Sequence, residues 1–233
     1  MFPIKRLYDL QELDLAIDAR EKALAEVRLR IADDSAVTMA RNSVTELDIE
    51  LQGPSTQRRT LEFAVQKLTD KISSVENKLY GGAITNPREL SAYEADSAQL
   101  HGQRSAEEDK LLEIMVEVDE VRSERDHAIQ AFERIKAERQ SDILKLEKED
   151  HQLGAELKEL HQSRDQVTPG LPASAISTYE MLRETRDGVA VARLVRSMCE
   201  KCRLTMPTME LQRAKTSQDI VQCSNCHRIL FPT

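Results

Sequence analysis

Tryptophan is absent from this chain of 233 residues, and aromatic side chains make up only 3% of it. A compact core usually draws much of its apolar area from aromatics, so a large mixed α/β domain is not expected. There are only seven glycines and seven prolines, few turn formers against ordinary usage of roughly 7% and 5%. No hydrophobic run is long enough to span a membrane. The first ten residues turn charged and amphipathic at once, unlike a signal peptide. Cysteine does not occur before position 199. These absences predict a cytoplasmic location, where thiols stay reduced. The motifs of common enzyme classes are also missing: no Gly-rich phosphate loop, no His-Glu-x-x-His and no Gly-x-Ser-x-Gly. His101, His127, His151 and His161 fall among charged helical residues and are read as solvated, so no catalysis is expected.

Charge is what the chain has in quantity. Charged residues reach 32%, with a formal net charge of −8. Residues 188–233 carry seven bases against three acids, a local +4, which leaves −12 on residues 1–187. An acidic body with a basic tail is a charge asymmetry to be explained.

Apolar residues recur in alternating steps of three and four. Leu10, Leu13, Ile17, Leu24, Val27 and Ile31 begin the stripe. Val37, Ala40, Val44, Leu47 and Leu51 continue it after a three-residue slip, and Leu61, Val65, Leu68, Ile72, Val75 and Leu79 complete it. This spacing is the seam of a coiled coil. Gly53-Pro54 is expected to interrupt the helix, since proline lacks a backbone donor and clashes with the preceding turn. Near 81–87 the chain should reverse. Gly81 suits the left-handed position after a helix, Asn86 an N-cap, Pro87 a first helical position and Glu89 a capping box. A second stripe runs through Leu90, Tyr93, Leu100, Leu111, Ile114, Val118, Val121, Ala128, Phe132 and Ile135. It resumes at Ile143, Leu146, Leu153, Leu157, Leu160 and Val167. Ser97, Arg104, Glu107 and Arg125 are polar at seam positions, which predicts weaker packing near 97–107. The two arms match in length, roughly 110–120 Å each if straight. That symmetry favours an antiparallel hairpin within one chain over a parallel dimer; the expected state is a monomer or weak dimer.

Thr168-Pro169-Gly170-Leu171-Pro172 ends the second arm. Ile176, Tyr179, Met181 and Leu182 suggest a short helix, and the alternation from Val189 to Val195 suggests a strand. The expected organisation is therefore mainly α: a coiled-coil hairpin over 1–167, a linker with a short helix over 168–187, and a small β-rich zinc ribbon over 188–233.

The ribbon is read from Cys199-x2-Cys202 and Cys223-x2-Cys226, twenty residues apart, which is the spacing of a structural four-thiolate zinc site. Each two-residue gap brings two sulfurs to one ion, and two such turns close a tetrahedron with no open position for substrate. One structural Zn²⁺ is expected. A redox dithiol would need a helix start within a βαβ unit. The Cys-x2-Cys-His pattern of covalent haem would leave Cys199 and Cys202 unexplained. His227 is read as a knuckle residue. Zn²⁺ with four thiolates carries −2, which Lys201, Arg203 and Arg228 can offset.

Gly81-Gly82 with Asn86-Pro87-Arg88-Glu89-Leu90, Tyr179-Glu180 with Gly188-Val189-Ala190-Val191-Ala192, and the two knuckles with His227-Arg228-Ile229-Leu230 resemble the bacterial C4-type zinc-ribbon proteins with an N-terminal coiled-coil hairpin. The resemblance covers nearly the whole chain. It departs at His227 and Met198, where members usually or often carry glycine. It implies an adaptor or chaperone. Some members are linked to flagellar or type III secretion assembly and to an alternative sigma factor, and nucleic-acid binding is often suggested.

Two functions follow from these residues. In one, a non-enzymatic adaptor binds protein partners through the hairpin and the ribbon, with Ile84 and Arg88 as a docking point at the turn. In the other, Arg193, Arg196, Lys201, Arg203, Arg213, Lys215 and Arg228 contact the phosphates of RNA or DNA. Phe231 is the one aromatic in the ribbon, so recognition of single strands by stacking is poorly supported.

Overall fold

A computed structural model describes residues 3–82, 84–217 and 219–232. Ala83, inside the expected turn, and Thr233, the last residue of the expected ribbon, lie outside them. Five α-helices and three strands follow in order: α1 Pro3–Ala32, α2 Ser35–Tyr80, α3 Pro87–Val167, α4 Ala173–Thr185, β1 Val191–Val195, β2 Met198–Cys199, α5 Thr208–Thr216 and β3 Ile229–Pro232. A 3-10 turn, Thr168–Gly170, separates α3 from α4. No described helix is long and apolar enough to cross a membrane. The chain divides into two units. One runs from Asp34 to Asp142; the other joins the residues up to Asp33 with those from Ile143 onward.

In the first unit α2 pairs with the front part of α3. Asp34 meets Arg139 at 2.8 Å, Asp48 meets Arg125 at 2.5 Å, and Glu76 meets His101 at 3.0 Å. Partners that converge in sequence toward the turn define an intramolecular antiparallel hairpin. Exposed pairs of this kind contribute at most about 1 kcal/mol each; they report register more than stability. The seam buries Leu61, Ile72 and Leu79 on α2, and Ile114, Val118 and Val121 on α3. Ser97 is buried as well, while Leu68 is only half-buried.

Two local expectations are corrected here. Gly53-Pro54 does not interrupt the first arm: α2 runs through Pro54 without a break. One lost backbone bond in a helix of 46 residues is outweighed by cooperative propagation on both sides. The hydroxyls of Thr56 and Thr60 also donate to the carbonyls four residues earlier. The break falls instead at Asp33-Asp34, between α1 and α2, where the stripe slips by three. At the hairpin turn the left-handed residue is Gly82 (φ +74°), not Gly81 (φ −73°). Gly81 donates its N–H to the Asn77 carbonyl at 3.0 Å, and a Cβ there would lie 2.4 Å from that oxygen. Asn86 caps α3 as expected: its Oδ1 accepts from the Arg88 N–H at 3.0 Å.

In the second unit α1 lies antiparallel to the end of α3, with Arg28–Asp150 at 2.8 Å and Arg20–Glu156 at 2.6 Å. The stripe of α1 differs from the expected one. Ile4, Leu7, Leu10, Gln11, Asp14, Ile17 and Val27 are buried, whereas Leu13, Leu24 and Ile31 are half-buried. The reason is that α1 packs on α4 and the sheet as well as on α3. Arg6 closes α3 by donating to the Val167 carbonyl at 2.8 Å. Gly170 leaves room for it, since a Cβ there would fall 1.6 Å from the Arg6 guanidinium.

The sheet has the order β2-β1-β3, with β1 antiparallel to β2 and parallel to β3. Alternate residues of a strand face opposite sides, and here each side has its own core. Val191 and Ile229 join Leu7, Leu10, Tyr179 and Leu182. Ala192 and Leu230 join Cys199, Cys223, Met206 and Ala214. The same two strands therefore floor the helical core on one face and the cysteine cluster on the other.

Candidate metal centre and its surroundings

Cys199 ends β2, Cys202 follows in the same turn, and Cys223 and Cys226 form a second turn just before β3. The two knuckles have one backbone pattern. The Arg203 N–H donates to Cys199 O at 2.8 Å, and the His227 N–H donates to Cys223 O at 2.9 Å. The Cys199 N–H donates to Leu204 O at 3.1 Å, and the Cys223 N–H to Arg228 O at 2.9 Å. The residue after each second cysteine is left-handed: Arg203 at φ +59° and His227 at φ +61°. That conformation favours glycine, which gives a physical reason for a glycine at the His227 position.

The four Sγ atoms lie within 4.8 Å of one another. Cys199 and Cys226 are 3.8 Å apart and Cys202 and Cys223 are 3.7 Å apart. A tetrahedron with Zn–S bonds of about 2.3 Å has edges of about 3.8 Å; these two pairs match that edge, and all four sulfurs stand close enough together to share one Zn²⁺. Among the described residues this is the cluster able to hold a metal, and His227 is not part of it. Burial pushes the Cys199 thiol up to about 12 and raises Cys223. At Cys202 burial is outweighed by the Leu204 N–H and by hydrogen bonds from Cys199, Asn225 and Cys223, which bring it to about 7. Zn²⁺ held by this set closes the ribbon; with every ligand position taken by sulfur, the ion is structural.

The basic residues divide into two groups. Arg193 is engaged, with its Nε and Nη2 on Glu200 at 3.1 and 3.0 Å and its guanidinium 5.9 Å from the Tyr8 ring centre. Arg228 is half-buried and donates to the carbonyls of Val189 at 2.8 Å and Arg186 at 3.2 Å. Arg196, Lys201, Arg203, Arg213 and Lys215 are exposed. In the other unit, Ile84 is half-buried and lines a cleft of about 390 Å³ with Glu89, Ala92, Tyr93 and Asp96; Arg88 is exposed beside it.

Sequence reasoning missed two features. Val195, Met198 and Leu204 are exposed apolar residues at the first knuckle, 43%, 40% and 50% accessible. Val195 and Met198 are cross-strand partners, and Arg196 and Ser197 between them form the turn with φ +50° and +68°. Period-two spacing gives no sign that a strand end faces solvent. The second feature is a polar cluster at Asp14. Its Oδ1 accepts from Arg164 Nε at 2.7 Å and its Oδ2 from the Tyr179 hydroxyl at 2.7 Å. Arg183 stands 3.9 Å from Asp14 and also pairs with Asp18. One turn earlier, Gln11 clamps the backbone of Val191, donating to its carbonyl at 3.0 Å and accepting from its N–H at 2.6 Å. A signal was present, since Gln11 and Asp14 continue the Leu7 stripe at four- and three-residue steps.

Residues 10–187 match the CT398-like coiled coil hairpin domain, and residues 198–230 match the C4-type zinc ribbon domain. No curated protein matches the sequence. Among solved structures, CT398 from Chlamydia trachomatis is similar at 18% identity and a TM-score of 0.76, covering 99% of this chain and 98% of that one. The HP0958 protein from Helicobacter pylori is also 18% identical, with a TM-score of 0.53 over 99% and 97% of the two chains. A structure from Mycobacterium smegmatis has a TM-score of 0.59 at 18% identity, over 97% and 98%. At this identity the likeness extends to the fold.

Proposed function

We propose, from the premise that this chain belongs to the CT398-like coiled-coil hairpin family, that it is a non-enzymatic adaptor whose zinc ribbon binds a protein partner. The observation that carries this reading is the mixed chemistry of the first knuckle. Exposed Val195, Met198 and Leu204 sit in the same short segment as exposed Arg196, Lys201 and Arg203. Apolar side chains held open beside cations suit a protein surface that offers carboxylates and apolar groups together. A phosphate backbone would use the cations and leave the apolar residues idle. Nucleic-acid binding is the second reading. Of its seven basic residues, Arg193 and Arg228 already have partners within the fold, which leaves five for phosphates. A tip contact through Ile84 and Arg88 belongs to the first reading. The resemblance to adaptors linked to secretion assembly and an alternative sigma factor makes such a sigma factor the first partner to try.

Affinity purification with the tagged zinc-loaded chain, with and without nuclease, tests the choice. The adaptor reading expects a nuclease-resistant partner that Met198→Ser/Leu204→Ser loses by about tenfold or more. Nuclease-sensitive capture, lost with Arg196→Glu/Lys201→Glu and indifferent to the apolar pair, would establish the nucleic-acid reading instead.

A further inference from the structure

Apart from the knuckles, the ribbon side of the chain carries a cleft of about 370 Å³ where α1, the end of α5 and the end of β3 converge. Its walls are Ile4, Ala214 and Phe231, with Pro232 and Ser217 at the margin. Ile4 and Ala214 are 3% and 2% exposed, so the floor belongs to the two cores and is fixed by them. The Phe231 wall is held by the Tyr8 ring, stacked at 5.1 Å and 24°. Lys5 and Lys215 stand on the rim, exposed, and among the described residues neither ammonium has an ion-pair partner. Among the described residues, the lining holds no carboxylate.

We infer that this cleft is an anchor site for an acidic segment of a protein partner, which places one large apolar side chain on the Ile4–Ala214–Phe231 floor and carboxylates against Lys5 and Lys215. The inference deepens the adaptor reading and rests on it. The volume sits near the lower end of the roughly 300–1,000 Å³ of ligand sites, which suits one or two side chains better than a cofactor. The apolar floor gives no role to a phosphate chain. A single carboxylate meets one of the two lysines, whereas a segment with several Asp and Glu can meet both. Electrostatics of this kind steers the encounter, and the buried anchor sets the lifetime of the complex.

The test uses the zinc-loaded full chain and two fluorescent peptides of Asp and Glu, identical except for Phe or Ser at the centre. The Phe peptide should bind about tenfold tighter or more. Lys5→Glu/Lys215→Glu should weaken it by about tenfold, while Arg196→Glu/Lys201→Glu, at the knuckle, should leave the Phe-to-Ser ratio unchanged. Both lysines are exposed, so circular dichroism and zinc content should match the unaltered chain. Equal binding of the two peptides, no binding of either, or a Phe-peptide affinity untouched by Lys5→Glu/Lys215→Glu would overturn the anchor. Displacement of the Phe peptide by dodecanoate at equal concentration would assign the floor to free fatty acids and overturn it too. Each result concerns the cleft alone; the adaptor reading fails separately, when partner capture proves nuclease-sensitive.

Discussion

The Tyr179 hydroxyl on α4 donates to the Asp14 carboxylate on α1 at 2.7 Å, across 165 positions of sequence, and both side chains are essentially sealed from solvent. Arg164 on α3 completes the arrangement from the other side at 2.7 Å, so one carboxylate ties three helices together. A buried charge is stable only when paired and hydrogen-bonded, and these partners satisfy both oxygens.

Removing the carboxylate should therefore cost more than removing the Tyr179 hydroxyl. Asp14→Ala takes the buried counter-ion from between Arg164 and Arg183, leaving Arg164 with Glu180 and Arg183 with Asp18. Their guanidinium side chains are 24% and 28% exposed, so water recovers part of the loss, and about 2–3 kcal/mol is expected. Tyr179→Phe deletes one hydrogen bond and should cost about 1–2 kcal/mol. Urea denaturation of the zinc-loaded chain measures both. Equal effects would show that Asp14 is not the hub.

The same contact predicts an alkaline limit. Burial raises the Tyr179 phenol above its ordinary value, and the Asp14 hydrogen bond and charge add to the rise. A pKa raised by folding gives stability that is complete below the unfolded value, roughly 10, and lost as pH climbs above it. Stability of the chain should fall above about pH 10, with Tyr179→Phe showing a shallower decline. Ultraviolet difference spectra should show the Tyr179 tyrosinate band only as the unit unfolds; its appearance in the folded chain would contradict the burial argument.

Metal removal should reach beyond the knuckles. Val191 and Ile229 serve the helical core, while their neighbours Ala192 and Leu230 serve the cysteine cluster. Chelation should thus raise hydrogen exchange across 191–195 and 229–231 and in α4 around Tyr179, and leave 61–79 of α2 protected. A Cys223→Ser variant should behave alike, because metal binding supplies much of the folding energy of such small units. Exchange confined to the knuckles would mean that the two faces of the sheet are uncoupled.

Pro54 offers a gain. It sits inside α2, where proline costs roughly 3 kcal/mol relative to alanine. Pro54→Ala restores one backbone donor and should raise stability by about 1–3 kcal/mol. Thermal melts monitored by helical circular dichroism check the sign; a loss would mean that Pro54 makes a packing contribution beyond its backbone cost.

Gly82→Ala should act in the opposite direction. The +74° φ at Gly82 is one that an L side chain adopts only at about 1 kcal/mol or more. The Cβ itself meets nothing within 4 Å, so any destabilisation in the same melts is purely conformational.

The sequence by itself determined the parts whose physics is local or periodic. Heptad steps with equal arms implied a helical hairpin, Asn86-Pro87 implied a helix start, and two Cys-x2-Cys turns implied a four-sulfur cluster, because spacing alone sets those geometries. Tertiary structure decided the rest. Whether Pro54 ends a helix depends on the packing on both sides of it. Whether Asp14 and Gln11 face water or a core depends on α4 and β1, which arrive more than 150 residues later. Arg193 and Arg228 read like their neighbours in a basic tail, yet their guanidinium groups are committed to Glu200 and to backbone carbonyls. Only long-range placement separates a cation that holds the fold from one left open to a partner.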